Sequence, residues 1–570
     1  MIKTLLKSVR EYKRDSILAP IFVTLEVIME VVIPLLMAML IDKGIDAGNM
    51  NYILKIGIAL AISCVISLVF GALSGKFAAS ASAGFAKNLR KDMFYNVQNF
   101  SFSNIDKFSA SSIVTRLTTD ITNVQNAYQM IVRIAVRGPI MIIFSLIMAF
   151  GINHKLSLVF LLAIPVLGGG LYFIMTHAHP IFERVFKIYD KLNNVVQENL
   201  RGIRVVKSFV REDFEEKKFK NVSEDIYDDF VKAEKLLAFN APLMQFAAYG
   251  CMLFISWFGA KLIVELTSLI AYTMQILMNL MMLSMVFVMI TMARASSERI
   301  VEILDEKSDL TNPENPVYEI KNGDISFRNV NFGYSKKKRK LCLKNINLDI
   351  KSGETVGIIG GTGSSKSSLV QLIPRLYDTT DGEVIVGDRN VKEYDIESLR
   401  DEVAMVLQKN VLFSGTIKEN LRWGNDHATD EEIERVCKLA QADEFIQTFP
   451  DKYDTYIEQG GSNVSGGQKQ RLCIARALLK KPKILILDDS TSAVDTKTDA
   501  SIRRAFREEI PNTTKIIIAQ RISSVEDADK IIVMDNGEIN GIGTHEELLK
   551  NNEIYREVYN SQVKGGGDDE

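Results

Sequence analysis

Six long apolar segments before residue 294 limit the possible folds of this chain more than any other feature of its sequence. They cover Ile17–Ile41, Ile53–Leu73, Ile131–Phe150, Leu156–Met175, Ala241–Val264 and Ser268–Ala293. A helix needs about 20 apolar residues to cross the hydrocarbon core of a bilayer. Helices also satisfy every backbone polar group inside the lipid. We therefore predict that residues 1–305 form an all-α membrane domain of six helices.

The connections between these segments alternate between short and long. The long ones follow the second and fourth segments, and they are rich in basic residues such as Lys87, Arg90, Lys91, Arg184, Lys187 and Arg201. Because basic residues favour the cytoplasmic side, we expect a multi-pass protein of the cell membrane with both termini in the cytoplasm. Helical periodicity continues through the long connections, which predicts helices that extend well beyond the bilayer.

Polar residues in the apolar segments leave two interpretations open. Glu26 and Glu30 lie one helical turn apart, where carboxylates are costly unless they face water or a partner group. They form either a cavity that attracts cationic substrates or a structural pair, bonded to neighbouring helices or protonated. Arg133 and Arg137 begin the third segment, and snorkelling to the cytoplasmic interface accounts for both.

Methionines recur every three or four residues along the last segment. They are Met274, Met278, Met281, Met285, Met289 and Met292. Methionine is unbranched and polarisable, and it suits surfaces that accept varied apolar ligands. This face is either the lining of a cavity for small-molecule substrates or an ordinary helix-packing surface.

The second half of the chain has a different pattern and composition. A chain of 570 residues is too long for a single core. We predict a linker at 306–322, an α/β domain at 323–563, where short β-branched runs alternate with helical stretches, and a flexible tail at 564–570. The net charge of −2 gives no general attraction to nucleic acid, so we expect no such partner.

A phosphate-binding loop is predicted at Gly360–Ser367, which reads G-G-T-G-S-S-K-S. In the pattern G-x-x-x-x-G-K-[ST], backbone N–H groups surround the phosphates, the lysine neutralises their charge and the hydroxyl binds Mg²⁺. Lys366 and Ser367 take the last two roles. Ser365 stands where the pattern has glycine. The predicted ATP contacts in this stretch are Gly360, Gly361, Thr362, Gly363, Ser364, Ser365, Lys366, Ser367 and Ser368.

A second candidate for the same site follows the buried strand Ile484–Leu487. Asp488 and Asp489 close this strand, and an acidic residue at such a position binds magnesium in phosphate-binding folds. We therefore expect MgATP to be held between the phosphate loop and Asp488.

Three motifs carry a resemblance to the ATP-binding-cassette (ABC) transporters of the exporter type. The chain contains V-S-G-G-Q at Val464–Gln468, I-L-I-L-D-D at Ile484–Asp489, and S-A-V-D ending at Asp495. They resemble the signature motif, the Walker B motif and the D-loop of that family. The resemblance covers essentially the whole chain and implies a membrane domain followed by an α/β P-loop cassette. In that family two cassettes enclose two ATP molecules, and each signature motif completes the site of the partner.

The resemblance also assigns roles to single residues. It implies that Tyr334 stacks on adenine, that Gln408 contacts Mg²⁺ or the attacking water, and that Asp495 lines the contact between cassettes. The signature residues that would contact nucleotide in the partner's site are Ser465, Gly466, Gly467 and Gln468. It further implies short coupling helices near Asn104–Lys107 and Arg211–Phe214.

Three departures from the family pattern fall in this chain's own ATP site. Asp489 replaces the glutamate that acts as general base, Gln520 replaces the switch histidine, and Ser365 replaces a glycine. The shorter aspartate draws its carboxylate back from the water, and an amide cannot titrate. The resemblance therefore implies one half of a heterodimeric exporter of small, hydrophobic or amphipathic compounds, whose hydrolysis takes place mainly at the partner's Walker site.

Three alternatives remain open at this level. The nearest is a homodimeric exporter or lipid flippase that hydrolyses ATP slowly. The others are a soluble ABC ATPase of DNA repair or translation, and a nucleotide-gated regulatory subunit. The six apolar segments speak against the soluble class.

Overall fold

The computed structural model describes residues 1–262, 266–334, 341–490 and 492–564. The chain forms two compact units. The membrane unit comprises Met1–Asn99 and Ser109–Glu306, and the cassette unit comprises Phe100–Phe108 and Lys307–Glu570. The predicted tail after Lys564 lies outside the described residues.

The described elements of the membrane unit are all helical. The α-helices are Ile2–Leu6, Lys13–Leu40, Met50–Gln98, Ala110–Thr115, Ile121–Ile152, His154–Arg201, Ile203–Ser208, Glu212–Ala238, Asn240–Leu262 and Leu266–Asp305. A 3₁₀ turn at Lys7–Tyr12 and π-helical turns at Ile41–Ile45 and Arg116–Asp120 continue neighbouring helices.

Two helices show that the spans continue beyond a bilayer, as the periodicity predicts. Met50–Gln98 has 49 residues and His154–Arg201 has 48. At about 1.5 Å per residue each is roughly 70 Å long, whereas the hydrocarbon core is about 30 Å thick.

Among the described residues, five helical stretches are long and apolar enough to cross a membrane. They are Ile2–Ile45, Met50–Gln98, Ala110–Ile152, His154–Ala178 and Glu212–Phe258. The sixth predicted segment lies in the helix Leu266–Asp305, whose described apolar part, Ser268–Leu283, is shorter. The end of the fifth predicted segment, at residues 263–264, lies outside the described residues.

The cassette unit contains twelve described strands. They are β1 Ile325–Phe332, β2 Leu343–Ile350, β3 Thr355–Gly360, β4 Asp381–Val386, β5 Arg389–Asn390, β6 Val403–Val406, β7 Gly415–Thr416, β8 Tyr456–Ile457, β9 Ile484–Asp488, β10 Thr514–Ile518, β11 Lys530–Asp535 and β12 Glu538–Gly543. A six-stranded sheet has the order β12-β11-β3-β10-β9-β6, a four-stranded sheet the order β2-β1-β4-β5, and β7 pairs with β8.

The order of the six-stranded sheet positions the functional site. Strands β11, β3, β10, β9 and β6 are parallel, and only β12 runs against its neighbour. The carboxyl ends of β3, β10, β9 and β6 therefore lie along one edge. The sheet is buried on both faces, because Leu485 and Ile486 of β9 belong to different apolar clusters.

Helices cover this sheet and the strands around it. The described α-helices of the unit are Phe102–Lys107, Lys366–Gln371, Ile396–Glu402, Ile417–Arg422, Asp430–Leu439, Asp443–Ile446, Gly466–Leu479, Thr496–Glu509, His545–Asn551 and Glu553–Lys564. The structure also has 3₁₀ turns at Lys452–Asp454, Gln459–Gly461 and Ile522–Ser524.

The two segments expected as coupling helices have different local structures. The first expectation, Asn104–Lys107, falls in the short helix Phe102–Lys107, which begins with a capping box at Ser101. The second, Arg211–Phe214, is not a separate helix but the N-cap and first turn of Glu212–Ala238. Glu212, Asp213 and Glu215 supply negative charge where a helix begins, which favours a start there. The separate short helix lies upstream, at Ile203–Ser208.

Candidate nucleotide site

The phosphate loop connects β3 to the helix Lys366–Gln371 through a sharp turn. Gly360 permits this turn because a Cβ there would lie 2.3 Å from the Met534 carbonyl oxygen. Ser365 has φ of 72° and ψ of 24°, the left-handed conformation that favours glycine. A side chain in that conformation costs about 1–2 kcal/mol. The departure at Ser365 therefore places backbone strain inside the loop.

Lys366 turns its ammonium group back onto the loop. Its Nζ donates to the carbonyl oxygens of Gly360 at 2.8 Å and Gly361 at 2.9 Å, and contacts Ser364 Oγ at 3.3 Å. Burial lowers the pKa of Lys366, and the charges of Asp488 and Asp489 act against that effect. The loop crest, Gly361–Gly363, is exposed. Phosphate oxygens at this crest would compete with the carbonyls for the same ammonium protons.

Ser367 and Asp488 are the two residues here that suit Mg²⁺. Ser367 Oγ donates to Asp488 Oδ1 at 2.9 Å, so the loop and the end of β9 meet at one point. Asp488 is 3% exposed, and burial raises its pKa despite the hydrogen bond from Ser367. Hydroxyl and carboxylate oxygens are hard ligands of the kind Mg²⁺ prefers. A cation here would offset the cost of burying the carboxylate.

The other two departures, Asp489 and Gln520, contact each other directly. Gln520 Nε2 donates to Asp489 Oδ2 at 2.6 Å. Asp489 directly follows β9 and has φ of 50°, and Gln520 lies two residues past β10. Because β9 and β10 are neighbours in the sheet, their ends bring together two side chains separated by 31 residues.

Tyr334 is anchored by its hydroxyl group. The hydroxyl is 2.8 Å from Ser368 Oγ and 3.3 Å from Gln371 Oε1, on the helix that follows the phosphate loop. Its ring meets the ring of Tyr377 edge-on, with centroids 5.1 Å apart. Tyr334 remains 52% exposed, so the ring is accessible for stacking.

Gln408 lies two residues past β6 and is exposed. Strand β6 is next to β9, so Gln408 follows the same sheet edge as Asp488. In the part of the chain that the structure describes, we find no hydrogen bond to its side chain.

The signature residues belong to a different surface of the cassette. Ser465 caps the helix Gly466–Leu479 in a capping box with Gln468. A Cβ on Gly467 would lie 2.8 Å from the Ala493 carbonyl oxygen, so this helix end packs closely against the D-loop. Asp495 caps the next helix by accepting from Thr498 N at 2.9 Å. Among the described residues, no hydrogen bond joins the signature to the phosphate loop.

The membrane unit corrects one prediction about its charged residues. Arg137 does not snorkel but binds both carboxylates, with Nη1 at 2.5 Å from Glu26 Oε1 and Nη2 at 2.6 Å from Glu30 Oε2. Two acids one turn apart can share one guanidinium, which stabilises all three groups in an apolar setting. This geometry supports the structural interpretation of Glu26 and Glu30. Among the described residues, we find no hydrogen bond to the side chain of Arg133.

The methionine face of the helix Leu266–Asp305 is largely exposed in the single chain. Met278 is 71% exposed and Met285 is 64% exposed, and Met274 and Met281 are also exposed. Met289 is half-buried, and the side chain of Met292 lies outside the described residues. The four exposed methionines are therefore not buried by the described part of this chain.

Sequence reasoning did not single out Tyr377 or Gln562. Tyr377 donates to Asp106 Oδ2 at 2.6 Å, and the Gln562 side chain bonds the loop that contains Gln520. A tyrosine or glutamine in a helical or loop pattern carries no signal of such a partner. Only the folded positions reveal these contacts.

Comparisons with known proteins agree with this architecture. The family described as "ABC transporter transmembrane region" matches residues 16–291, and the family described as "ABC transporter" matches residues 343–492. The uncharacterized ABC transporter ATP-binding protein YfiB of Bacillus subtilis (strain 168) is 38% identical over 505 residues, which cover 87% of each chain. This chain belongs to the ABC transporter family. The family and the fold class predicted from the sequence are thereby confirmed.

Two further relatives of this ABC transporter are informative. The uncharacterized ABC transporter ATP-binding protein Rv1273c of Mycobacterium tuberculosis (strain H37Rv) is 36% identical over 516 residues, covering 88% of this chain and 87% of that protein. A solved structure described as a bacterial Atm1-family ABC exporter with ATP bound has a TM-score of 0.83 at 23% identity and covers 97% of this chain and 99% of that one. The chain thus has the exporter-type fold, with a multi-pass membrane region and a cassette of the ATP-binding, generally ATP-hydrolysing class.

Proposed function

We propose that this ABC transporter is the degenerate-site subunit of a heterodimeric exporter. It would move small hydrophobic or amphipathic compounds out of the cytoplasm or the inner leaflet. The observation that carries the proposal is the 2.6 Å hydrogen bond from Gln520 Nε2 to Asp489 Oδ2. At the position of the general base, this chain has a shortened carboxylate that is already occupied by an amide.

The length of the Asp489 side chain and its hydrogen bond to Gln520 both disfavour hydrolysis at this site. A general base must lie within about 2.6–3.2 Å of the attacking water, and aspartate is one methylene shorter than the family's glutamate. The Gln520 amide also binds one of the two carboxylate oxygens that could accept the proton. Because an amide neither titrates nor carries positive charge, Gln520 cannot replace a histidine at the γ-phosphate.

The residues that would hold the phosphate charge and Mg²⁺ are not among the altered groups. Lys366 would exchange its carbonyl partners for phosphate oxygens, and Ser367 with Asp488 would hold Mg²⁺. When bound, Mg²⁺ supplies charge that neutralises the β- and γ-phosphates. Tyr334 would stack on adenine, and Gln408 would approach the metal from the end of β6. This site would therefore bind ATP and scarcely hydrolyse it.

The signature offers the partner's site a complete surface. Ser465, Gly466, Gly467 and Gln468 form the N-terminal end of a 14-residue helix, and such an end favours anionic groups. The partner would supply the catalytic glutamate and switch histidine. Asp495, beside the signature, would line the contact between the two cassettes.

Coupling to transport would use the short helix Phe102–Lys107. This helix is grouped with the cassette although the chain on both sides of it belongs to the membrane unit. Tyr377 holds it through Asp106, and the ring of Phe102 packs edge-on against Tyr377. When ATP closes the cassettes, movement of this helix would be passed along the chain to the spans. The cavity would then open outward, with both termini in the cytoplasm.

The substrate proposal rests on the methionine face rather than on the acidic pair. The single charge of Arg137 pairs with both Glu26 and Glu30 and offsets part of their charge, which weakens the case for attracting cations by charge. The exposed methionines at Met274, Met278, Met281 and Met285 would accept varied apolar groups.

A homodimeric exporter or lipid flippase with slow hydrolysis is the second candidate. It is favoured by one observation, namely that Asp489 still follows Asp488 at the carboxyl end of β9, on the sheet edge where β3 leads into the phosphate loop. Five apolar helical stretches long enough to span a membrane disfavour the soluble ABC ATPases.

The deciding experiment measures ATP hydrolysis by this chain co-expressed with a candidate partner. Asp489→Asn in this chain is compared with the matching Glu→Gln change in the partner. We expect the partner's change to abolish turnover and Asp489→Asn to leave most of it. If Asp489→Asn abolishes turnover, or if this chain alone hydrolyses ATP briskly, then the homodimeric exporter is the better description.

A further inference from the structure

Among the described residues, one side chain of the C-terminal helix Glu553–Lys564 makes the hydrogen bonds to the loop that carries Gln520. Gln562 Nε2 donates to the Gln520 carbonyl oxygen at 2.8 Å, and Gln562 Oε1 accepts from Ile522 N at 2.9 Å. One amide thus binds the backbone on both sides of Arg521. The two bonds join residues about 40 positions apart in the chain.

The segment fixed in this way lies between two regular elements. Strand β10 ends at Ile518, and the 3₁₀ turn begins at Ile522. Ile522 is 1% exposed and anchors one end of the segment in the core. Gln520 itself is exposed, so its direction depends on how its own backbone is held. The Gln562 amide holds that backbone at the residue whose side chain reaches Asp489.

Gln520 lies at the end of the site where the terminal phosphate of ATP would sit. Ser367 and Asp488 are the residues that would hold Mg²⁺, which would supply charge to the terminal phosphates of ATP. Asp489 is next in the chain and binds Gln520. ADP lacks the phosphate that this pair would face.

We infer that Gln562 is a positioning residue, through which the C-terminal helix sets the direction of Gln520 and so tunes the preference of this site for ATP over ADP. The inference deepens the proposed function and rests on its assignment of the nucleotide site. It assigns the C-terminal helix a part in nucleotide discrimination.

The helix does not need Gln562 to stay in place. Tyr555 is fully buried and hydrogen-bonds to His545 at 2.8 Å. Ile554, Val558 and Tyr559 pack against the apolar cluster beneath the helix. These contacts dock the helix by one face, whereas Gln562 is exposed near its end. Substitution of Gln562 therefore removes the two hydrogen bonds and keeps the docking.

The test measures the affinities of the purified full-length chain, in lipid nanodiscs with Mg²⁺, for ATP and for ADP by displacement of a fluorescent ATP analogue. For Gln562→Ala we expect ATP affinity to fall about threefold to tenfold, as for loss of a hydrogen bond that orders a charged site, with ADP affinity unchanged. Gln562→Glu keeps the acceptor for Ile522 N but sets a carboxylate oxygen against the Gln520 carbonyl oxygen, so its loss should be at least as large as that of Gln562→Ala. Ser561→Ala is the matched control, because the Ser561 hydroxyl bonds to Val558 O within its own helix.

A double-substitution cycle separates positioning from a general structural effect. If Gln562 acts through Gln520, then Gln562→Ala causes no further loss of ATP affinity in a Gln520→Ala background. Equal losses for ATP and ADP, or additive losses in the cycle, would overturn the inference.

Lys366→Ala distinguishes failure of this inference from failure of the proposed function. If Lys366→Ala removes ATP binding while Gln562→Ala leaves the ATP-to-ADP ratio unchanged, the positioning role alone is wrong. If Lys366→Ala leaves ATP binding intact, the assigned site is wrong and the positioning role falls with it.

Discussion

The cassette has two surfaces assigned to nucleotide, and they differ in how many motif residues of the family they keep. Its own half-site, built from the phosphate loop, Asp488, Asp489 and Gln520, departs from the family pattern at three positions. The signature half-site, Val464–Gln468 with its capping box, has no departure from the family pattern. The first surface must position a proton acceptor to within a fraction of an ångström, and the second needs only a helix end and small residues. The proposed function rests on this contrast, in which one chain loses hydrolysis at its own site and supports it at another.

The strongest challenge to this contrast is Gly467→Leu. Any Cβ there would lie 2.8 Å from the Ala493 carbonyl oxygen, so the signature and D-loop must move apart. We expect ATP hydrolysis by the assembled transporter to fall about 100-fold or more, the scale of losing charge-stabilising donors. ATP affinity of this chain alone should not change, since its own half-site is elsewhere. Unchanged turnover in an assay of the reconstituted transporter would mean that the signature serves no working site.

The converse experiment rebuilds the altered half-site with Asp489→Glu and Gln520→His together. The added methylene restores reach, and the imidazole can carry charge at the γ-phosphate. We expect hydrolysis at this site to rise at least about tenfold, since a positioned base contributes roughly 10²–10⁴-fold. The single substitutions serve as controls and should each recover less. No gain in the double variant would show that Ser365 or the loop geometry also blocks the chemistry.

A smaller effect is expected from Ser365→Gly. Relief of the left-handed conformation at φ 72° should strengthen ATP binding, or raise the free energy of unfolding, by about 1 kcal/mol. Asn536→Gly is the matched control, because Asn536 also has positive φ, at 48°, but lies in the turn after β11. It should affect thermal stability without affecting ATP affinity. Equal affinities for the parent and Ser365→Gly would show that the strain does not reach the nucleotide.

The smallest expected effects concern stability against pH without nucleotide or Mg²⁺. Burial raises the pKa of Asp488, so the folded state holds its proton more tightly than the unfolded state, and stability falls as pH rises. Asp488→Asn should therefore raise the melting temperature at neutral pH, with a gain that shrinks as the medium is acidified toward the usual aspartate range.

Asp495, beside the signature, should behave in the opposite way. A hydrogen bond from the Thr498 backbone lowers its pKa, so its ionised form contributes stability above the ordinary aspartate pKa, and that contribution is lost on acidification. Asp495→Asn should lower the melting temperature slightly at neutral pH and have no effect in acid. If the melting temperatures of the two variants change with pH in the same way, the two half-sites do not differ in this electrostatic respect.

Local rules predicted much of this molecule. Segment lengths and periodicity were enough to predict helices, such as Met50–Gln98, that are longer than a bilayer is thick. The glycine pattern was enough to single out Ser365, because the loop closes on itself within eight residues and needs no distant partner.

Features that depend on distant pairing could not be predicted in this way. The Asp489–Gln520 contact exists because β10 inserts between β3 and β9, and strand order is set by packing of whole elements. The prediction that Arg137 snorkels was wrong because it was made from one helix alone, whereas the partners of Arg137 lie on another helix. The separate short helix at Ile203–Ser208 was displaced from expectation because a run of acidic residues starts the next helix at Glu212.

The triad of Glu26, Glu30 and Arg137 also has a consequence for the biogenesis of the protein. Each charged residue at the centre of an inserting helix costs about 3 kcal/mol, and the first helix leaves the ribosome about 100 residues before Arg137 does. Its two carboxylates lack their counter-charge throughout that interval. Arrival of the third helix therefore lowers the cost of keeping the first helix in the lipid, and the insertion energies of these two spans depend on each other.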